Sequence, residues 1–168
     1  MRGVAAVTAV ALAALALGGC GAATRTTTPT VPGPPPAFAT SPAGGVGASV
    51  DFGASDAVTR ALRRALPGVA LVLASVVNDA GRLVPVPAFT ATAADGRTMP
   101  LVDAWRRLAG RNDPAARRAR ALLPLTAAMP NGGSALVYLT LTGIPPADVV
   151  GVGMLGDDGK VTQLGRAR

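Results

Sequence analysis

Val69-Ala70-Leu71-Val72-Leu73-Ala74-Ser75-Val76-Val77 is an apolar run of nine residues that stops at the turn cluster Asn78-Asp79-Ala80-Gly81. Nine residues suit a strand better than a helix, and β-branched valines pack well on a pleated surface. With no polar alternation until Ser75, the run reads as a strand buried on both faces. Residues 83–92 continue extended, with Pro85 and Pro87 holding their start at an edge or bulge because proline lacks a ladder donor. Asp95-Gly96 signals a hairpin and Pro130-Asn131-Gly132-Gly133-Ser134 a second turn. That turn leads into Ala135-Leu136-Val137-Tyr138-Leu139-Thr140-Leu141-Thr142. Here Val137, Leu139 and Leu141 fall on one face and Tyr138, Thr140 and Thr142 on the other. Two further extended stretches, 148–155 and 160–164, flank Gly156-Asp157-Asp158-Gly159.

Two segments carry helical signals. Residues 56–65 hold good helix formers and end at Pro67-Gly68. Asp113-Pro114 is an N-cap followed by proline at the first helical position, which predicts a helix over 114–122. The rest of 103–123 stays open between helix and strand. Strand number and turn spacing predict a mainly β domain, a β-sandwich with a short helical insertion. The strand ending in Asn78, the Ala94-Asp95-Gly96-Arg97 hairpin, and the Pro130–Ser134 turn before a strand that ends near Pro145-Pro146 carry a resemblance. They are similar to the immunoglobulin-like domain of uncharacterised function in Gram-positive, actinobacterial-type lipoproteins. That resemblance implies a fold and an address, not a reaction.

The address is also written at the start of the chain. Met1-Arg2-Gly3 is a short positive segment, followed by fourteen uncharged residues over 4–17 and then Leu17-Gly18-Gly19-Cys20. A bilayer core of ~30 Å needs about 20 apolar residues, so this run fits a signal peptide better than a membrane span. The tetrapeptide resembles the bacterial lipobox. In that family the cysteine receives a diacylglyceryl group, the leader is cut before it, and the new amine is often acylated, commonly with palmitate-type chains. The resemblance implies a signal peptide over 1–19, lipidation at Cys20, and a partner membrane reached through that lipid at the extracytoplasmic face of the cell. An uncleaved anchor helix and a plain secretory signal are the alternatives.

Between Gly21 and Ser49 the composition turns to Thr, Pro and Gly, with Thr26-Thr27-Thr28-Pro29-Thr30 and Pro32-Gly33-Pro34-Pro35-Pro36. Such a stretch predicts a tether over 20–50, leaving 51–168 as the domain.

Net charge is +7, or +6 once Arg2 leaves with the leader, from fifteen basic residues against nine aspartates. A basic surface attracts anionic lipid, wall polymer or acidic protein, and secretion puts nucleic acid last. The basic block Arg106, Arg107, Arg111, Arg117, Arg118 and Arg120 faces only Asp103 and Asp113 between residues 103 and 120. It is the candidate site for an anionic partner, with an ordinary solvated helix face as the plain alternative. Trp105 beside it is expected in the core, with an exposed anchor as the alternative.

Catalysis finds little to work with. There is no histidine, no glutamate and a single cysteine, which leaves no candidate catalytic residue, no metal site and no implied cofactor. Gly151-Val152-Gly153-Met154-Leu155-Gly156 matches a dinucleotide-binding pattern by letter, but the twelve residues after it leave no room for the helix and strand that such a site needs. Asp157-Asp158-Gly159 lacks the alternating spacing of a calcium loop, and Ser134 has no nucleophile-elbow frame. These readings predict a non-catalytic interaction module. The alternative is a carrier holding an apolar or anionic small molecule in a pocket of the sandwich, which requires a cavity of several hundred Å³.

Overall fold

The computed structural model describes residues 35–41 and 45–167. The expected signal peptide over 1–19, Cys20 and the first part of the expected tether lie outside them. The elements follow in chain order as β1 (Ala37–Thr40), β2 (Val46–Asp51), α1 (Ala57–Ala65), β3 (Ala70–Asn78), β4 (Val84–Pro85), β5 (Ala88–Ala93) and β6 (Thr98–Asp103). Then come α2 (Ala104–Leu108), α3 (Pro114–Leu122), β7 (Ala128–Met129), β8 (Ser134–Leu141), β9 (Val149–Leu155) and β10 (Val161–Arg166).

Eight of the strands form one antiparallel sheet closed in the order β1-β10-β9-β5-β6-β8-β3-β2, while β4 and β7 make a separate two-stranded ribbon. The mainly β expectation holds. The expected immunoglobulin-like division into two sheets is replaced by this cyclic order. Closure depends on two strands that change partner along their length, the way corners are turned between crossed sheets. In β6, residues 98–101 pair with β5 and only Val102 and Asp103 pair with β8. In β10, residues 161–164 pair with β9, whereas Gly165 and Arg166 pair with β1.

The tether ends sooner than composition suggests. Residues 37–51, most of which fall inside the expected 20–50 linker, supply β1 and β2, and β2 pairs with β3 along all six of its residues. The reason lies in alternation: Phe38, Ala48 and Val50 point into the core, while small or polar neighbours such as Ser49 face out. Phe38 meets Phe52 edge-on, with ring centroids 6.1 Å apart.

β3 is buried on both faces only over its first half. Val72, Ala74 and Val76 fill the barrel, and Leu71 and Leu73 face outward beneath the helices. By Val77 the outer face is open to solvent. β8 alternates likewise, with Ala135, Leu139 and Leu141 inside and Tyr138 outward. The end of β3 is fastened by Asn78, which is fully buried. Its side-chain amide donates to the Arg82 and Met129 carbonyls at 2.7 and 2.8 Å and accepts from the Ala80 N–H at 3.0 Å.

The glycine pattern at 151–156 is structural. Gly153 lies in β9, where a Cβ would stand 2.9 Å from both Thr90 Oγ1 and Val161 Cγ1. A glycine is the residue that lets the three strands approach so closely.

Candidate functional site

Outside the barrel, α1, α2 and α3 form a layer over β3 and β8. A second apolar cluster joins them, with Leu62, Ala65 and Leu66 from the α1 region, Leu108 from α2, and Ala116 and Ala119 from α3 packed on Leu71 and Tyr138. Helices are expected at 56–65 and 114–122 and occur at Ala57–Ala65 and Pro114–Leu122. α2 carries no strong sequence signal, being five residues long, and it makes only Ala104–Leu108 of the open stretch helical, with a turn and loop over 109–113.

Each helix starts on an aspartate. Asp56 Oδ1 accepts from the Val58 and Thr59 N–H groups at 2.8 and 3.0 Å, and Asp103 from Trp105 N–H at 2.7 Å. Asp113 accepts from Ala116 N–H at 2.9 Å, the cap that its sequence position implies. The acidic side chains of the layer are therefore engaged in holding helix ends.

This has a consequence for charge. Residues 55–66 and 103–123 contain nine arginines and three aspartates, a net of +6. From Cys20 onward, the rest of the chain has six basic residues and six aspartates, a net of zero. On the barrel side three ion pairs form among the described residues, Arg82–Asp157 and Arg97–Asp95 at 2.6 Å and Lys160–Asp158 at 3.4 Å. The Asp157 carboxyl is held below the usual carboxylate range by the Arg82 guanidinium, and Asp95 by hydrogen bonds from the Arg97 backbone and side chain. In the layer, the described residues show one ion pair, Arg111–Asp113 at 3.3 Å. The whole excess charge of the sequence from Cys20 onward belongs to the helical layer.

The arginines of that layer divide by what they touch. Arg60 donates to the Ser55 carbonyl, Arg63 to Ala54, Arg117 to Asn112 and Arg120 to Leu108. Arg107 reaches Thr142 Oγ1 at 3.3 Å, and Arg111 is paired as above. These six guanidinium groups brace the fold. Arg64, Arg106 and Arg118 are exposed and have no hydrogen-bond or ion-pair partner among the described residues. Of the six arginines that the sequence singles out, the structure thus leaves Arg106 and Arg118 free and ties Arg107, Arg111, Arg117 and Arg120. Arg64 is missed by a reading along the chain because it joins the group through α1 packing beside α3. Between these two helices lies a cleft of about 300 Å³ lined by Ala61, Arg64, Pro114, Ala115 and Arg118.

A second feature opens where β6 and β8 part. Since they pair at only two positions, a groove of about 570 Å³ runs between them, reaching Phe89, Leu101 and Leu139 at depth and Asp103 and Arg106 at its edge. An adjoining hollow of about 270 Å³ is lined by Trp105, Leu125, Leu136 and Tyr138. Trp105 is 39% exposed and Leu125 75%, so the expectation of a core tryptophan is corrected. α2 is too short to bury both of its faces: Ala104 and Leu108 turn inward, which leaves the intervening Trp105 at the rim.

Below the layer, Asp56 organises a small network. Besides capping α1, it accepts from Thr59 Oγ1 at 2.6 Å and from the Tyr138 hydroxyl at 3.1 Å. Burial pushes the Tyr138 phenol up, and the Asp56 charge adds to this, to about 12. The phenol is thus neutral and a donor at neutral pH, poorly suited to act as a base. Lys160 is occupied by Asp158 and shows no bond to Ser134 among the described residues. Those residues also include no group of three or more metal-ligating side chains.

No family model, curated protein or solved structure matches this chain.

Proposed function

We propose that this chain is a lipoprotein held by lipid on Cys20 at the extracytoplasmic face of the cell membrane, and that its basic helical layer docks on an anionic component of the envelope. The protein is a non-catalytic interaction module in this reading. One observation carries the docking: a net charge of +6 concentrated in the helical layer, while the rest of the sequence from Cys20 onward sums to zero. Such a distribution makes a directed positive field that steers anionic partners to one side of the molecule. The lipobox-like Leu17-Gly18-Gly19-Cys20 after an apolar run supports the anchor. Two or three acyl chains on one residue hold stably in a bilayer at ~0.8 kcal/mol per buried CH₂, where a single chain holds only marginally.

Mass spectrometry of the natural protein tests the anchor. The expected N-terminal residue is a diacylglyceryl-modified Cys20, and a chain starting at Met1 with a bare thiol rules the anchor out. For the docking, the chain with Cys20→Ser is titrated with polyphosphate over a range of salt. Binding weakens as salt rises, because counterions compete for the same surface. Replacing Arg64, Arg106 and Arg118 together by Ser is expected to lower affinity by roughly 100-fold, taking about 1 kcal/mol for each exposed charged contact. Unchanged affinity would reduce the layer to a solvated surface.

A second reading keeps one specific support. The carrier alternative needs a cavity, and the barrel interior is filled by side chains such as Phe38, Val50, Val72 and Phe89 that are at most 2% exposed. The 570 Å³ groove between β6 and β8 has the size of a small-molecule site. An apolar ligand with an anionic end would place that end at Arg106. Ligand binding that survives filling this groove by Ala127→Trp would remove this second reading.

A further inference from the structure

We propose that the cleft between α1 and α3 is a site for a phosphate-class oxyanion, gripped by Arg64 and Arg118. This rests on the reading of the helical layer as an anion-docking face, and it names the group that the face recognises.

The argument starts from the sorting of the arginines. Six of the nine in the layer have guanidinium donors engaged by carbonyls, a hydroxyl or a carboxylate. Three have none among the described residues, and two of those, Arg64 and Arg118, line one cleft from facing helices. Two like charges brought to one hollow raise each other's energy, and no carboxylate lines the cleft to offset it. A bound oxyanion reverses the sign of that interaction.

The rest of the cleft suits the same ligand. Its floor is Ala61, Pro114 and Ala115, small side chains that leave about 300 Å³ of space and offer no competing donor or acceptor of their own. Pro114 and Ala115 are the first residues of α3, a nine-residue helix whose positive dipole end favours an anion. Asp113, the carboxylate at this helix end, is committed to Ala116 N–H at 2.9 Å and to Arg111 at 3.3 Å. A guanidinium presents a planar fork of donors that matches phosphate oxygens two at a time. Two forks on opposite walls select a tetrahedral oxyanion with several accessible oxygens over a lone carboxylate. A phosphate carried on a lipid headgroup or on an envelope polymer presents the same chemistry.

The test uses the full chain with Cys20→Ser and inorganic phosphate as the probe, read by calorimetry at fixed ionic strength. Arg64→Ser with Arg118→Ser is expected to weaken phosphate binding by roughly 100-fold, each charge-assisted contact being worth about tenfold. The control removes two charges elsewhere in the layer, Arg107→Ser with Arg117→Ser, and is expected to weaken it less than about threefold through the general field. Arg64→Lys with Arg118→Lys keeps the charge without the fork and is expected to retain polyphosphate binding while losing most phosphate affinity. A cooperative thermal transition in all three variants, lowered in the control by the loss of its two bracing contacts, shows that the fold is intact. Glycerol 3-phosphate and vesicles of anionic phospholipid then distinguish sources: vesicle binding that needs both arginines points to a headgroup, and binding of the free phosphates alone points to a polymer. Equal losses in the Ser pair and the control overturn the site while leaving the docking face standing, as does phosphate that fails to bind where polyphosphate still does. Loss of polyphosphate binding at low salt in the unsubstituted arginine layer would instead sink the docking reading itself.

Discussion

A chain beginning at residue 51 is expected to be unfolded, with no cooperative thermal transition, while one beginning at residue 35 melts as the full chain does. The shorter chain loses β1 and β2, and with them the six-residue pairing to β3 and the contacts that close the sheet between β1 and β10. Phe38, Ala48 and Val50, all at most 4% exposed, leave the core together. Removing a buried phenylalanine alone costs about 3–5 kcal/mol, and a domain of this size is stable by roughly 5–15 kcal/mol in all. Circular dichroism across a temperature ramp decides it. A cooperative transition in the chain starting at 51 would mean that the barrel does not need its first two strands.

The second large effect falls on Asp56. Asp56→Ala is expected to destabilise the protein by about 3 kcal/mol, read from urea unfolding. An N-cap is worth ~1 kcal/mol, and the substitution also strands the Thr59 hydroxyl, on a residue 2% exposed, and the Tyr138 phenol. The same network sets a pH window. Burial pushes the Asp56 carboxyl up, but hydrogen bonds from Thr59, Tyr138 and Val58 outweigh this and hold it below its ordinary 3.8. Its contribution is therefore fully present above that ordinary value and is lost as pH falls through the lower folded one. Tyr138 has the opposite sign. Its phenol is raised from 10.0 to about 12, so its contribution is present below pH 10 and is lost as pH climbs toward 12. Tyr138→Phe is expected to flatten the alkaline limb and to shrink the acid one without removing it, since Asp56 keeps its hydrogen bonds from Thr59 and Val58, measured as unfolding free energy against pH. An alkaline limb that persists in that variant would mean that another group sets it.

Much of the fold was legible where a local signal and the final environment agree. The apolar run ending at Asn78 is a strand because Val72, Ala74 and Val76 face the barrel interior while Leu71 and Leu73 pack beneath the helices. Asp113-Pro114 is a helix start because the cap and the fixed φ of proline act within one turn. The failures are long-range. β1 and β2 carry few bulky residues between glycines, serines and prolines, so their period of two is swamped by linker composition until β3 and β10 are there to pair with them. Barrel closure depends on Gly165 and Arg166 reaching Phe38 and Ala39, across more than 120 positions of sequence.

The candidate site divides in the same way. The run from Arg106 to Arg120 marks the basic layer, but sequence spacing cannot tell an arginine that braces a carbonyl from one that stays free. Arg117 and Arg118 are neighbours with different fates: one donates to Asn112 at 2.6 Å, and the other lines the cleft. Arg64 enters only through the packing of α1 on α3, whose shared face is made of alanines and leucine.

Backbone amide chemical shifts of the chain with Cys20→Ser, recorded as polyphosphate is added, map where the anion sits. Shifts concentrated in 55–66 and 103–123, with the barrel strands on the side away from β3 and β8 unmoved, are the expected result. Shifts centred on β9 and β10, or spread evenly over the molecule, would contradict a docking face built from the three helices.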